Sequence, residues 1–290
     1  MITLYLLSFF SSAILTFFYI NFMRKLKLGQ YIREEGPDLH NYKTGTPTAG
    51  GVVFIIVALI FGINKMQFPL VLSLLLFGGI GFLDDISSIL KKQALGLRAY
   101  QKFFLQIIFS ILIISYSNSY TIFGTNVSKI TYYIFWTFVI TGASNAVNLT
   151  DGLDGLAGWV WITSILPLSI STKDFSTFFL ISSVLAFLLF NTRPASLFMG
   201  DTGSLALGAF LSTYAMIHSV ETQLIFSSSI FIVETLSVIL QVISFKLFKK
   251  RIFKMSPIHH HFELLGWKEE KIVGVFSAIN LIVSLSIIGW

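Results

Sequence analysis

The chain of 290 residues contains no cysteine, so disulfide bonds, thiolate metal sites and a thiol nucleophile are all excluded. Charged residues are scarce as well. They make up 12% of the chain, whereas a soluble domain has about 25%. With 54% hydrophobic residues and a mean hydropathy of +0.80, the composition indicates an integral membrane protein.

The net charge of +6 is not a nucleic-acid signature, because the basic residues fall in short segments between apolar runs. There they act as topology signals and anion contacts, and we expect no nucleic-acid partner. The first apolar run, from Ile2 to Met23, lacks a small-residue cleavage site. It therefore predicts a first membrane span and not a removable signal peptide.

Ten apolar runs are candidates for membrane-spanning helices, and no internal repeat separates them into groups. The sequence predicts an all-α, polytopic membrane protein with about ten transmembrane helices in a single domain, residues 1–290. The predicted spans are 2–23, 50–64, 67–83, 101–117, 130–148, 156–171, 175–190, 203–219, 223–246 and 272–289.

The distribution of lysine and arginine predicts the orientation. Alternate connections, with the helix ends that touch them, contain 17 of the 20 basic residues. These connections are 24–49, 84–100, 149–155, 191–202 and 247–271. By the positive-inside rule they are cytoplasmic, and both termini are extracytoplasmic.

Five aspartates lie where apolar runs meet these same connections: Asp84, Asp85, Asp151, Asp154 and Asp201. An ionised carboxylate at bilayer depth costs roughly 2.5–3.5 kcal/mol, and clustered negative charges must be offset by a metal ion or by lysines. The sequence therefore predicts one site on the cytoplasmic face that holds a cation.

Asp84 and Asp85 stand at the predicted end of the third span. Adjacent side chains on a helix point about 100° apart, so the pair can address one metal site and one proton site. The alternative is a solvated stop signal. Glycines just upstream favour a functional role for the aspartate pair, because they let other groups approach the backbone closely.

A polar residue recurs at every third position through Asn145, Asn148, Asp151 and Asp154, which predicts one polar helical face. The glycines at 152 and 155 are expected to loosen its turn. Amides and carboxylates together suit a nucleotide base and ribose, or a metal-held phosphate. The alternative is a face that pairs with a neighbouring helix.

Asp201 lies in Gly200–Ser204, which opens the eighth span. Free N–H groups, hydroxyls and a carboxylate at a helix start suit an anion or Mg²⁺. The alternative is a helix N-cap, since Asp, Thr and Ser all cap well. Asn191 and Phe198 precede it on the same loop. Phe198 could stack on a base or simply pack.

Lysines and histidines supply the positive side of the predicted site. Lys43 is a candidate phosphate binder. Lys102 would face the same surface as Asp84 and Asp85, unless it is only a topology charge. Adjacent histidines do not readily bind one zinc ion, so the run His259, His260 and His261 is better explained by pyrophosphate contacts or proton transfer.

Two further features concern the last spans. Lysine and arginine at 249–254 would attract an anionic substrate and lipid headgroups. Glu234 lies inside the ninth span, and we expect it to face the helix bundle, hydrogen-bonded or protonated, far in depth from the aspartates.

Three motifs together resemble the polyprenyl-phosphate N-acetylhexosamine-1-phosphate transferase superfamily: Gly45–Gly51, Asn145–Ala157 and Arg251–Glu263. The triple-histidine stretch is typical of its muramoyl-pentapeptide branch. Ala49 departs from the usual methionine of the first motif. The resemblance implies ten spans in the bacterial cytoplasmic membrane, an active site on the cytoplasmic face and Mg²⁺ as cofactor. The implied reaction transfers phospho-MurNAc-pentapeptide from UDP-MurNAc-pentapeptide to undecaprenyl phosphate, giving lipid I and UMP.

The resemblance also implies roles for individual residues. The implied metal ligands are Asp201, Asp84 and Asp85, and these three act in catalysis together with His259 and His260. The implied substrate contacts are Lys43, Thr48, Lys102, Asn145, Asn148, Asp151, Asp154, Asn191, Phe198 and His261. Direct attack by the lipid phosphate and a route through an aspartyl intermediate both remain open.

Three alternatives remain beside this prediction. A sister enzyme would move N-acetylglucosamine-1-phosphate onto the same lipid. A transporter would use the acids as an ion path, although its site would lie near mid-membrane, often with an inverted repeat. A lipid-binding scaffold would leave the acids unexplained. The sequence leaves open whether the protein forms a homodimer, and membrane lipids are its expected surroundings.

Overall fold

The computed structural model describes residues 1–26, 29, 43, 45–91 and 96–286, and most of them are helical. A helix lies at each of the ten predicted positions. The helices are α1 Ile2–Lys25, α2 Gly51–Gly62, α3 Phe68–Lys91, α4 Ala99–Ile114, α5 Lys129–Thr150, α6 Leu156–Thr172, α7 Phe178–Asn191, α8 Gly200–His218, α9 Glu221–Ser227, α10 Ser229–Phe248, α11 Ile258–Glu263 and α12 Glu269–Leu285. A 3-10 turn at Phe175–Thr177 leads into α7.

Among the described residues, three helices are long and apolar enough to cross a membrane by length and composition: α1, α3 and α10. The shorter helices α2, α4, α6 and α7 are also apolar. Three of the basic residues used for the orientation lie outside the described residues: Lys27, Arg33 and Lys92. The end of the tenth predicted span, residues 287–289, lies outside them as well.

The third helix is longer than the sequence predicted. It continues to Lys91, so Asp84 and Asp85 lie within the helix and are buried, not at its solvated end. Hydrophobic periodicity ended the prediction at residue 83 because it does not register polar groups that face polar partners inside the protein.

Glycines bring three chain segments into close contact at this level. A Cβ atom on Gly81 of α3 would lie 2.1 Å from the carbonyl oxygen of Asp201 in α8. A Cβ atom on Gly51 of α2 would lie 2.3 Å from the amide nitrogen of Gly203. Only residues without a side chain allow these approaches, and they place the first turn of α8 between α2 and α3.

The ninth predicted span is divided at Ser228 into α9 and α10. The buried side chain of Asn280 in α12 stabilises the break: its Oδ1 accepts hydrogen bonds from the Ile230 amide at 3.3 Å and the Ser229 hydroxyl at 3.1 Å. Its Nδ2 donates to hydroxyls of Thr163 and Ser164 in α6, each at 3.0 Å. The break fixes the direction in which α10 continues.

A two-stranded antiparallel hairpin, Thr121–Ile122 with Thr125–Asn126, connects α4 to α5. Its turn contains Phe123 and Gly124, both with positive φ. The hairpin is not predicted from the sequence, because two-residue strands are too short to show a period. It lies at the end of the helix bundle opposite to the aspartates.

Candidate functional site

Two of the predicted carboxylates meet at one lysine. Lys102, in the first turn of α4, places its Nζ 2.7 Å from Asp201 Oδ2 and 3.5 Å from Asp84 Oδ1. Asp84 also accepts a hydrogen bond from the Leu97 amide at 2.7 Å. α3, α4 and α8 thus converge on a mostly buried cluster of two carboxylates and one ammonium.

Asp85 has a different environment. Its carboxylate accepts hydrogen bonds from the backbone amides of Asp201 and Thr202, each at 3.0 Å, and from the Thr202 hydroxyl at 2.6 Å. It therefore satisfies N–H groups at the start of α8, as a capping side chain does. The alternative that Asp201 caps its own helix is wrong, because Asp85 of α3 receives these bonds.

The four polar residues at every third position do not share one face, because α5 ends at Thr150. Asn148 donates to Asp201 Oδ1 at 2.8 Å and to the Ser204 hydroxyl at 2.9 Å. Asn145 instead pairs with the buried amide of Gln106 in α4 at 2.8 Å. The predicted loosening of the turn by glycine is present, with Gly155 at φ 84°.

A second cluster of charges lies beyond this turn. Lys43 Nζ is 2.7 Å from Asp154 Oδ1 and 3.1 Å from Glu269 Oε1, and all three residues are buried. Asp154 Oδ2 accepts the Ala195 amide at 3.0 Å, and Arg193 Nη1 lies 3.2 Å from Glu269 Oε1. This network ties the 149–155 and 191–202 connections to Lys43 and to the start of α12.

Asp151 lies between the two clusters, and no donor contacts its carboxylate among the residues that the structure describes. Burial raises the pKa of Asp151 well above its ordinary value, and the charges of Asp201 and Asp85 raise it further. Lys43 opposes this shift without cancelling it. Asp151 is therefore a group whose ionic form needs a positive partner.

The remaining loop residues line the space around this turn. The Asn191 Nδ2 donates to the Leu197 carbonyl at 2.9 Å, while its buried Oδ1 has no hydrogen-bond partner among the described residues. Phe198 is half-buried, and its backbone bonds to Pro47 and Gly50, both at 2.9 Å. Thr48 is buried and its carbonyl accepts the Tyr19 hydroxyl at 3.0 Å.

The three histidines have three separate environments. His259 is fully buried, with Nδ1 3.1 Å from Glu234 Oε2. His260 Nδ1 is 2.6 Å from Glu263 Oε2, and His261 Nδ1 accepts the Lys254 amide at 3.1 Å. Glu234 faces the bundle and is hydrogen-bonded, as predicted. Its expected separation from the aspartate site is wrong, because His259 also contacts Gly152.

Within the described part of the chain, no three His, Cys, Asp or Glu side chains form a ready-made metal cage. Asp84 and Asp201 nevertheless fit the donor set of Mg²⁺, which often takes one or two carboxylates and completes its shell with water and substrate phosphates. A cationic group already sits between them, since Lys102 contacts both. The Asp85 oxygens are used at the start of α8, so they fit a metal less well.

Other residues of these clusters were not predicted from the sequence: Gln106, Arg193 and Glu269. Glu269 had the only readable signal. Like the five aspartates, it is an acid that lies where an apolar run meets a polar connection.

Comparisons with known proteins agree with one another. The sequence model of glycosyl transferase family 4 matches residues 66–219. A phospho-N-acetylmuramoyl-pentapeptide-transferase of Fervidobacterium nodosum is 58% identical over 276 residues, covering 92% of this chain and 90% of the relative. Proteins of the same name from Thermotoga neapolitana and Staphylococcus carnosus are 52% and 44% identical. They cover 96% and 97% of this chain, and 95% and 96% of their own lengths.

Proposed function

Because the chain belongs to the phospho-N-acetylmuramoyl-pentapeptide transferases of glycosyl transferase family 4, we propose that its aspartate clusters form the active site for lipid I synthesis. The reaction transfers phospho-MurNAc-pentapeptide from UDP-MurNAc-pentapeptide to undecaprenyl phosphate. An oxygen of the lipid phosphate bonds to the phosphorus next to the sugar, and the bond from that phosphorus to UMP breaks.

The single observation that supports this site best is the meeting of Lys102, Asp84 and Asp201 at one end of three helices. Phosphoryl transfer between two anions needs charge neutralisation and alignment more than covalent chemistry by the protein. Lys102 supplies a positive charge for the phosphates, and Asn148 orients the Asp201 carboxylate through a 2.8 Å hydrogen bond.

Asp84 and Asp201 would hold Mg²⁺, which stabilises the negative charge that develops on the phosphate oxygens. Asp85 supports this pair by fixing the start of α8, and so the position of Asp201. Of the two adjacent aspartates, Asp84 would thus be a metal ligand, and Asp85 would position the ligand Asp201.

The second cluster suits the uridine and sugar-phosphate end of the donor. Lys43, Asp154 and Asn191 line it, and half-buried Phe198 offers a ring face. The unpartnered Oδ1 of Asn191 is a buried acceptor that a donor group of the substrate would satisfy. His260 and His261 are the histidines left partly exposed for phosphate contact.

The predicted setting is a multi-pass protein of the bacterial cytoplasmic membrane, with about ten spans and the active site on the cytoplasmic face. The Lys and Arg distribution supports this orientation. All five aspartates gather at one end of the helix bundle, which favours an enzyme over a transporter with a mid-membrane ion path.

Purified protein in detergent tests the function. With UDP-MurNAc-pentapeptide and undecaprenyl phosphate, we expect UMP release that stops with EDTA and returns with Mg²⁺. Parallel reactions with UDP-N-acetylglucosamine should give none, and activity with that donor alone would contradict the proposal. UMP released in one equivalent without the lipid would indicate the aspartyl route; its absence would favour direct attack.

A further inference from the structure

Two ionisable side chains meet in the interior without a part in the proposed phosphoryl transfer. Glu234 of α10 and His259 of α11 are both 0% exposed. His259 Nδ1 lies 3.1 Å from Glu234 Oε2, and the His259 backbone amide lies 3.5 Å from the same oxygen. A lone carboxylate in an apolar helix is costly, so the imidazole is a partner that this helix requires.

The other side of the imidazole faces the turn between Asp151 and Asp154. A Cβ atom on Gly152 would lie 2.4 Å from His259 Nε2, so the ring packs directly against this glycine. Nε2 is buried and has no hydrogen-bond partner among the described residues. From this position the His259 ring supports the turn between Asp151 and Asp154.

A carboxylate bonded to one ring nitrogen fixes both the tautomer and the plane of an imidazole. Glu234 therefore determines how the His259 ring stands under Gly152. The two residues flanking this contact belong to separate clusters: Asp151 lies near Asp201, and Asp154 bonds Lys43 at 2.7 Å. A rotated ring would displace both carboxylates together.

We propose that Glu234 is a positioning residue which, through His259, sets the Asp151–Asp154 turn against the donor nucleotide. Only the kinetic readout of this inference rests on the proposed function. The contact itself is tested by exchange of backbone amides.

The first test removes the charge while keeping the shape. Glu234→Gln keeps an acceptor oxygen but removes the charge that holds the imidazole. It should raise the KM for UDP-MurNAc-pentapeptide roughly tenfold, with a smaller change in kcat, by analogy with the ~10–100-fold losses when a carboxylate partner of a metal-binding histidine is replaced. In a His259→Ala background the same substitution should have no further effect. Additive effects in this double-mutant cycle would overturn the proposal.

Ser237→Ala is the matched control. Ser237 lies one turn further along α10 and is buried. Its hydroxyl donates to the Glu234 carbonyl at 2.6 Å and makes no hydrogen bond to His259. It should leave the KM unchanged. An equal rise in KM for Ser237→Ala and Glu234→Gln would show that any loss of polar packing in α10 has this effect, and would contradict a specific role for Glu234.

A second test uses the steric contact. Gly152→Ala would place its methyl group against His259 Nε2 and should raise the KM about tenfold. With His259→Ala the space opens, so Gly152→Ala should then add nothing. A loss that persists in the double variant would mean that the methyl group acts on the substrate and not on the imidazole.

Hydrogen exchange of residues 150–156 decides the matter without any turnover. Exchange should be faster in Glu234→Gln than in the wild-type protein and unchanged in Ser237→Ala. Unchanged exchange in Glu234→Gln would refute positioning of the turn. Wild-type protein without transfer activity would refute the proposed function alone, and the exchange comparison would still decide the role of Glu234.

Discussion

Adding one methyl group to α3 should test how closely this helix must approach α8. Gly81→Ala would place a Cβ atom 2.1 Å from the Asp201 carbonyl oxygen, 2.2 Å from its carbon and 2.3 Å from the Thr202 nitrogen. These are backbone atoms, so no side chain can rotate away. Reaching the 3.4 Å of an ordinary contact requires α3 and α8 to separate by about 1.3 Å.

That separation would break the support of the site. Asp85 bonds the Asp201 and Thr202 amides at 3.0 Å, and an added ~1.3 Å takes both bonds beyond hydrogen-bonding distance. Asp201 would also move relative to Asp84. Because a misplacement of about 1 Å in an active site can cost ~100-fold in rate, we expect UMP release to fall at least about 100-fold.

Gly79→Ala provides the control in the same helix. Nothing lies within 4 Å of a Cβ atom at Gly79, so the substitution should leave activity intact and stabilise α3 by up to ~1 kcal/mol through helix propensity. Both variants would be assayed for UMP release and for thermal unfolding by tryptophan fluorescence in detergent. A Gly81→Ala protein with wild-type turnover would refute the close approach of the two helices and the role given to Asp85.

Two other substitutions test the charge clusters. Lys43→Met should lower the free energy of unfolding by about 3–5 kcal/mol, because Asp154 and Glu269 lose a buried partner; the exposed Lys65→Met is the control, and equal unfolding midpoints for the two variants would contradict the network. Asp151→Asn should stabilise the protein, more at about pH 8 than at about pH 5. The raised pKa of Asp151 means that ionising this carboxyl costs folding energy, and the cost grows as pH rises from the ordinary carboxyl range toward the folded pKa. A gain that is larger at the lower pH would contradict the burial of its charge.

The sequence predicted the helices well because their signal is local. Every apolar run became a helix, and Lys102 lies on the same surface as Asp84, as predicted. Its nearer partner is Asp201, whereas Asp85 bonds the start of α8. The predicted end of α3 was wrong because the prediction followed the apolar run, which stops at residue 83. The helix itself continues through Asp84 and Asp85 to Lys91.

Pairings across the bundle were not predictable from one chain. Asp85 caps a helix 116 positions away, and Glu269 reaches Lys43 from 226 positions away. The regular spacing of Asn145, Asn148, Asp151 and Asp154 suggested one face, but the helix ends at Thr150 and the side chains go to separate partners. Local spacing describes a helix face only as far as the helix continues.

Asp201 is the residue whose loss tests the proposed active site best, because it joins Lys102, Asn148 and the proposed Mg²⁺ site. Single-turnover release of UMP from UDP-MurNAc-pentapeptide would be measured for wild-type protein and for Asp201→Asn at saturating Mg²⁺ and undecaprenyl phosphate. Loss of this charge should slow release by ~100-fold or more while the protein still folds and enters membranes. Release within about threefold of the wild-type rate, well short of that loss, would show that the reaction takes place elsewhere.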